Sequence, residues 1–234
     1  MLRNVRDLID AKRKWTEPLR PDEESLGFRG WYSRGYLPHF DVPGVLQTIT
    51  FRLHDAMPAN RRSEWEHFLK VEDEQERQTK IEAYLDAGHG ECHLKNPRIA
   101  SLVQKAILHF DGQRYRAIAW VVMPNHVHAL IEVWQEPLPK ILQSWKSFTS
   151  KEANRLLKRT GIFWQPEYFD RYIRNEEHFS KAIHYIENNP VKAHLVQKPE
   201  DWIFSSARGK LDGSAGILPA SGTEQAQKMS EDGR

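Results

Sequence analysis

Cysteine is nearly absent: Cys92 is the only one in 234 residues. A lone thiol excludes an internal disulfide framework and a multi-cysteine zinc module, and it fits a reducing compartment. Long apolar runs are absent too. No stretch approaches the roughly 20 residues that a membrane-spanning helix requires. Met1–Arg20 has no apolar segment after its basic residues, so it does not read as a secretory leader. The expectation is a soluble, cytoplasmic chain with no membrane association. No internal repeat is visible, and neither sign of charge dominates, since 34 Lys and Arg face 32 Asp and Glu. What is present is a hydrophobic fraction of 39% and an aromatic fraction of 11%, enough for a core and against disorder throughout. The length suits one domain with extensions.

The near-neutral total conceals an uneven distribution. Between Gln135 and Asn175, eight basic residues (Lys140, Lys146, Lys151, Arg155, Lys158, Arg159, Arg171 and Arg174) face four acidic ones. Trp145, Phe148, Phe163, Trp164, Tyr168, Phe169 and Tyr172 are interleaved with them. Such a segment can neutralise phosphates and stack on unpaired bases. It can equally be a solvated helix face beside ordinary core aromatics. By itself it decides nothing.

Periodicity orders the rest. Residues 1–28 read as a basic, polar N-terminal arm. Val45–Leu53 alternates as a strand, and Arg61–Ala87 is one long charged helical segment stopped by Gly88 and Gly90. Its candidate buried positions are Trp65, Phe68, Leu69, Ile81, Tyr84 and Leu85. A helix follows Asn96-Pro97 and ends at Asp111-Gly112. Tyr115–Met123 and Val127–Trp134 are two strands of an antiparallel pair joined through Pro124-Asn125. Leu138–Arg159 is helical, Ile162–Phe169 extended, and Asn175 caps a last helix that Asn189-Pro190 closes. This order predicts an α+β fold, a ferredoxin-like or RRM-like antiparallel sheet with flanking helices. The helices lie mainly on one face, with an extra helical insertion after the first strand. The domain runs over 29–208, and residues 209–234, rich in Gly, Ser, Ala, Gln and Glu, read as a mobile tail.

The chemistry-bearing residues fall at two places. In His126-Val127-His128 strand alternation puts both imidazoles on one face, where they can share a divalent cation. Two ordinary histidines would look the same. On the last helix, Phe179, Ala182, Ile183 and Ile186 form an apolar stripe, and Tyr185 and Asn189 stand one turn apart along its edge. Tyr185 is thus set at the border of a cleft with the Asn189 amide oxygen as a candidate third ligand. A boundary tyrosine and a helix-capping asparagine fit the same spacing. Glu132 reads as an exposed strand-end acid and His184 as a helical histidine. His89, Cys92 and His93 could form a separate zinc site, but a glycine-bounded loop burying Cys92 as a small hydrophobe is the better reading.

Taken together the motifs resemble a known family. The run Ala119–Ile131 (AWVVMPNHVHALI) is similar to the His-hydrophobe-His core of the single-tyrosine transposases. Trp164-Gln165-Pro166, Phe169–Arg174 (FDRYIR) and Tyr185–Ala193 (YIENNPVKA) resemble the REP-associated tyrosine transposase branch. So do Leu37-Pro38-His39, Thr50–Leu53 and Tyr84–Gly88 with Gly90 and Cys92. The resemblance covers roughly 29–206.

It implies that Tyr185 is the nucleophile, that His126 and His128 bind a metal, and that Asn189 supplies a further ligand. It implies Mg²⁺ or Mn²⁺ as cofactor and single-stranded DNA near palindromic, REP-like hairpins as partner. Lys146, Arg171, Arg174 and Lys192 are the candidate DNA contacts. Cleavage would pass through a 5′-phosphotyrosine in a monomer or homodimer. The long charged segment 61–87 and the tail are departures that bear on DNA site preference. Two other readings belong to different classes. One is a non-catalytic hairpin-binding regulator, which would not need His126, His128 and Tyr185. The other is an RNA-binding domain, for which the glycine-aromatic motif is missing.

Overall fold

The computed structural model describes residues 17–33, 38–57 and 61–209. Most of the expected N-terminal arm (1–16), the expected tail from 210 onward, and Leu37 lie outside the described residues, as do the side chains of Trp65 and Leu69. Residues 17–28 are more than an arm. Pro21–Leu26 forms a short helix (α1) ended by Gly27 in the left-handed region, and Phe28 enters the core.

Two sheets follow. Gly30–Ser33 (β1) and Pro38–Asp41 (β2) pair as a small antiparallel sheet. Val45–Arg52 (β3), Tyr115–Val122 (β4), His126–Val133 (β5) and Phe169–Tyr172 (β6) form the main one, in the order β4-β5-β3-β6 with every pairing antiparallel. Between β3 and β4 lie three helices, Arg62–Leu69 (α2), Glu74–Asp86 (α3) and Pro97–Leu108 (α4). Leu138–Leu156 (α5) joins β5 to β6, Glu176–Lys192 (α6) follows β6, and Ser206–Gly209 (α7) ends the described chain. The expected α+β order therefore holds, with the helical insertion after β3.

Helices cover both faces of the sheet, where the sequence led us to expect mainly one. Val127, Ala129, Ile131 and Val133 share a core with Val103, Ile107, Ile141, Leu142 and Trp145 of α4 and α5. On the other face Ala119, Val121 and Leu130 pack with Phe179, Ala182 and Ile186, the expected stripe of α6. Full burial of Phe179 or Ile186 contributes about 1.5–3 kcal/mol each. All eight residues of β5 are buried as a result, Glu132 included. Glu132 is therefore not an exposed acid; it is paired with Arg116.

Three boundaries differ from expectation. The charged segment is two helices, because the Asp73 carboxylate accepts the Glu76 N–H (2.7 Å) and starts α3 afresh. The strand expected over Ile162–Phe169 begins only at Phe169, since Phe163 and Trp164 both turn inward and the Trp164 indole donates to Thr149 Oγ1 (2.8 Å). Pro190 does not close the last helix, which runs on to Lys192. A proline in the final turn removes one donor near an end where carbonyls are unpaired anyway.

The β1–β2 hairpin is tied to β6 by a buried imidazole. His39 Nδ1 bonds Asp170, and its Nε2 lies 3.5 Å from Glu167. Burial pushes the His39 pKa down, but the hydrogen bond and charge of Asp170, then Glu167, outweigh it and the net shift is upward. A histidine with a raised folded-state pKa contributes stability that is fully present below about pH 6.5 and is lost as pH rises through the raised value. Urea denaturation of wild type and His39→Gln at about pH 6 and about pH 9 should show the larger stability gap at the lower pH. An equal gap at both would rule out a charged His39.

Candidate active site

β5 brings His126 and His128 to the α6 side of the sheet with ring centroids 4.7 Å apart. Each ring is oriented through Nδ1. The amide of Asn125 donates from Nδ2 to the His89 carbonyl (3.2 Å), which leaves its Oδ1 to accept from His126 Nδ1 (2.7 Å). His128 Nδ1 is 2.7 Å from Thr50 Oγ1, its cross-strand partner on β3. Both Nε2 atoms are buried without a hydrogen-bond partner. Burial first, then the charges of His128, Arg52 and Lys192, drives the His126 pKa well down. Burial and Lys192 lower that of His128 to about 3. Both imidazoles are therefore neutral, with an unprotonated nitrogen available for a cation.

α6 supplies the rest. The Tyr185 ring lies 5.3 Å from that of His128, edge to face. Its phenol is raised above its ordinary pKa by burial, then by the Glu82 and Asp86 charges and contact with Glu82, against a smaller opposing effect of the Asn189 amide. Asn189, fully buried, leaves its amide oxygen without a hydrogen bond. Lys192 Nζ lies 5.5 Å from the Tyr185 ring centre, 3.8 Å from Glu82 and 3.4 Å from Asp86. Tyr185, His126, His128, Asn189 and Lys192 are thus brought to one pocket.

A cleft of about 560 Å³ opens from this pocket and is lined by His128, Tyr185, Thr50, Arg171, Arg174 and Lys181 among others. Arg171 and Arg174 accordingly flank the site. Lys146 does not. Its half-buried ammonium donates to the carbonyls of Gln165 and Pro166 (2.9 and 3.1 Å) and sits near Phe51 and Tyr168, on the opposite face. The expected burial of Cys92 holds: its thiol donates to the Gly88 carbonyl, while His89 and His93 turn away to Arg61 and Arg159.

Sequence reasoning missed Asp86 and Glu82. They are four apart on α3 and reach the pocket beside Ile81, Tyr84 and Leu85, which bury that helix. Asp86 Oδ1 stands 3.9 Å from His126 Nε2. Among the described residues no three His, Cys, Asp or Glu side chains are already grouped closely enough to hold a metal ion. The donors fit one nonetheless. Two neutral imidazole nitrogens, a carboxylate and an amide oxygen are all buried and lack hydrogen bonds, a set suited to a divalent cation.

Residues 96–189 match the family described as "Transposase IS200 like". The REP-associated tyrosine transposase of Escherichia coli (strain K12) is 32% identical over 121 residues, which cover 50% of this chain and 69% of that protein. A protein of Haemophilus influenzae is 25% identical over 103 residues, 39% of this chain and 58% of its own length. A solved REP-associated tyrosine transposase bound to a REP hairpin overlays with a TM-score of 0.47 at 19% identity, covering 86% of this chain and 96% of that one.

Asn125 fixes the tautomer of His126, so Asn125→Ala should orphan a buried imidazole N–H and cost about 1–3 kcal/mol of stability. In ¹⁵N NMR of the metal-free protein the His126 ring should also lose its single Nδ1–H tautomer. Retention of that tautomer would show that another group orients the ring.

Proposed function

Because the chain belongs to the family of REP-associated tyrosine transposases, we propose that it cuts and rejoins single-stranded DNA beside palindromic hairpins, with Tyr185 as nucleophile. The observation that carries this reading is the meeting of the Tyr185 ring with His128, whose Nε2 is buried and unpartnered, at the end of a cleft flanked by Arg171 and Arg174.

The resting phenol keeps its proton, since burial and then the charges of Glu82 and Asp86 raise its pKa. Attack therefore requires a proton acceptor, and the Glu82 carboxylate, which lines the same cleft as Tyr185, is the candidate. As the Tyr185 oxygen bonds to phosphorus in line, the bond to the DNA 3′-oxygen breaks. The products are a 5′-phosphotyrosine and a free 3′-hydroxyl. The phosphotyrosine keeps the ester energy, so a second 3′-hydroxyl can reverse the step and join strands. His126, His128 and Asn189 would hold Mg²⁺ or Mn²⁺, whose chemistry is to polarise a non-bridging oxygen of the scissile phosphate. Arg171, Arg174 and Lys192 position the strand through its phosphates. One tyrosine per chain handles one strand at a time, so two cuts need two subunits or two turnovers. The setting is the cytoplasm; among the described residues no helix is long and apolar enough to cross a membrane.

Covalent capture tests the proposal. End-labelled hairpin oligonucleotides with single-stranded flanks, mixed with protein and Mg²⁺ or Mn²⁺, should give a protein–DNA adduct on a denaturing gel. Tyr185→Phe should lower its yield on the order of 100-fold or more, and a chelator should do the same. Hairpin binding without any adduct would overturn the enzyme reading and leave a hairpin-binding regulator.

A further inference from the structure

The pocket contains a contact that hydrogen bonding does not explain. Asp86 is mostly buried, neither of its carboxylate oxygens has a hydrogen bond, and Oδ1 lies 3.9 Å from His126 Nε2. That nitrogen carries a lone pair, because Asn125 takes the ring proton at Nδ1 and is itself held by the His89 carbonyl. Lys192, 3.4 Å from Oδ2, compensates only the other side of the carboxylate. A lone pair and an anionic oxygen facing each other repel unless a hydrogen-bond donor or a cation lies between them.

We propose that Asp86 is a ligand of the same divalent cation as His126 and His128. The proposal rests on the metal reading above and adds to it an anionic ligand delivered by the inserted helix α3. Donors that each sit about 2.1 Å from a shared ion at adjacent positions are roughly 3–3.5 Å apart. The Asp86–His126 separation therefore needs to close by less than an ångström. Lys192 holds the second carboxylate oxygen and keeps Asp86 turned toward the histidines. Two imidazoles with one carboxylate suit Mn²⁺ better than Mg²⁺, which prefers oxygen-rich sites.

The experiment is an electron-paramagnetic-resonance titration of Mn²⁺ into the metal-free full chain, with no DNA present. Asp86→Asn should weaken binding roughly tenfold or more. The same variant should melt no lower than wild type without metal, since the charge it removes faces a lone pair. His126→Ala combined with His128→Ala should abolish binding. If the double-histidine variant loses Mn²⁺ while Asp86→Asn binds like wild type, the histidine site stands and Asp86 is only the ion-pair partner of Lys192. If wild type binds no Mn²⁺, the metal reading and this proposal both fall. Should Asp86→Asn not fold, Asp86→Cys loaded with Co²⁺ supplies an independent readout. A sulfur-to-cobalt charge-transfer band absent from wild type, whose Cys92 thiol is committed to the Gly88 carbonyl, is expected. Its absence in a folded, Co²⁺-loaded variant would overturn the proposal.

Discussion

Burial of β5 on both faces is the constraint on which everything else depends. A strand covered by α4 and α5 on one side and α6 on the other has no solvent face, so each side chain it carries must be apolar or fully partnered. Val127, Ala129, Ile131 and Val133 meet that demand by composition. On the other side, Leu130 does so by composition and Glu132 by pairing with Arg116. His126 and His128 do so only in part. Their Nδ1 atoms are engaged by Asn125 and Thr50, while their Nε2 atoms are left facing an enclosed pocket. The same burial that stabilises the sheet forces both rings neutral, which is the protonation state that a metal ligand requires.

That pocket would be open on one side without α3. Ile81, Tyr84 and Leu85 fasten the helix to the core, and the i, i+4 spacing of Glu82 and Asp86 then presents two carboxylates to α6. An apolar helix face and an acidic edge side by side are what a segment looks like when it both packs and contributes to a site. The insertion is thereby continuous with the site, where a surface elaboration would have faced water.

Much of this could be read from the residues, and the parts that could not share a cause. The His126–His128 pair follows from strand alternation and the Tyr185–Asn189 pair from helical spacing, both local rules that a linear string displays. The α+β class followed from the order of the elements. Asp86 and Glu82 were opaque because an acidic edge on a charged helix is indistinguishable from a solvated face until the packing partner is known. Lys146 belongs to the same basic run as Arg171 and Arg174, yet α5 and β6 send them to opposite sides of the sheet. The break at Asp73 and the passage of Pro190 turned on single capping and end effects, which shift boundaries and leave the architecture intact.

The electrostatics of the site follow from where these charges sit. Arg171 and Arg174 line the cleft, so a phosphodiester entering it meets positive charge. Deeper in, Lys192 faces Glu82 and Asp86 (3.8 and 3.4 Å), the Arg52 guanidinium is buried beside His126, and burial keeps the two histidines neutral. A phosphate reaching Tyr185 under the proposed reaction would bring a further negative charge to a pocket that already holds two carboxylates. Where burial lowers the local dielectric, added charge is costly. Under the proposed reaction, a cation arriving with the strand would offset that charge.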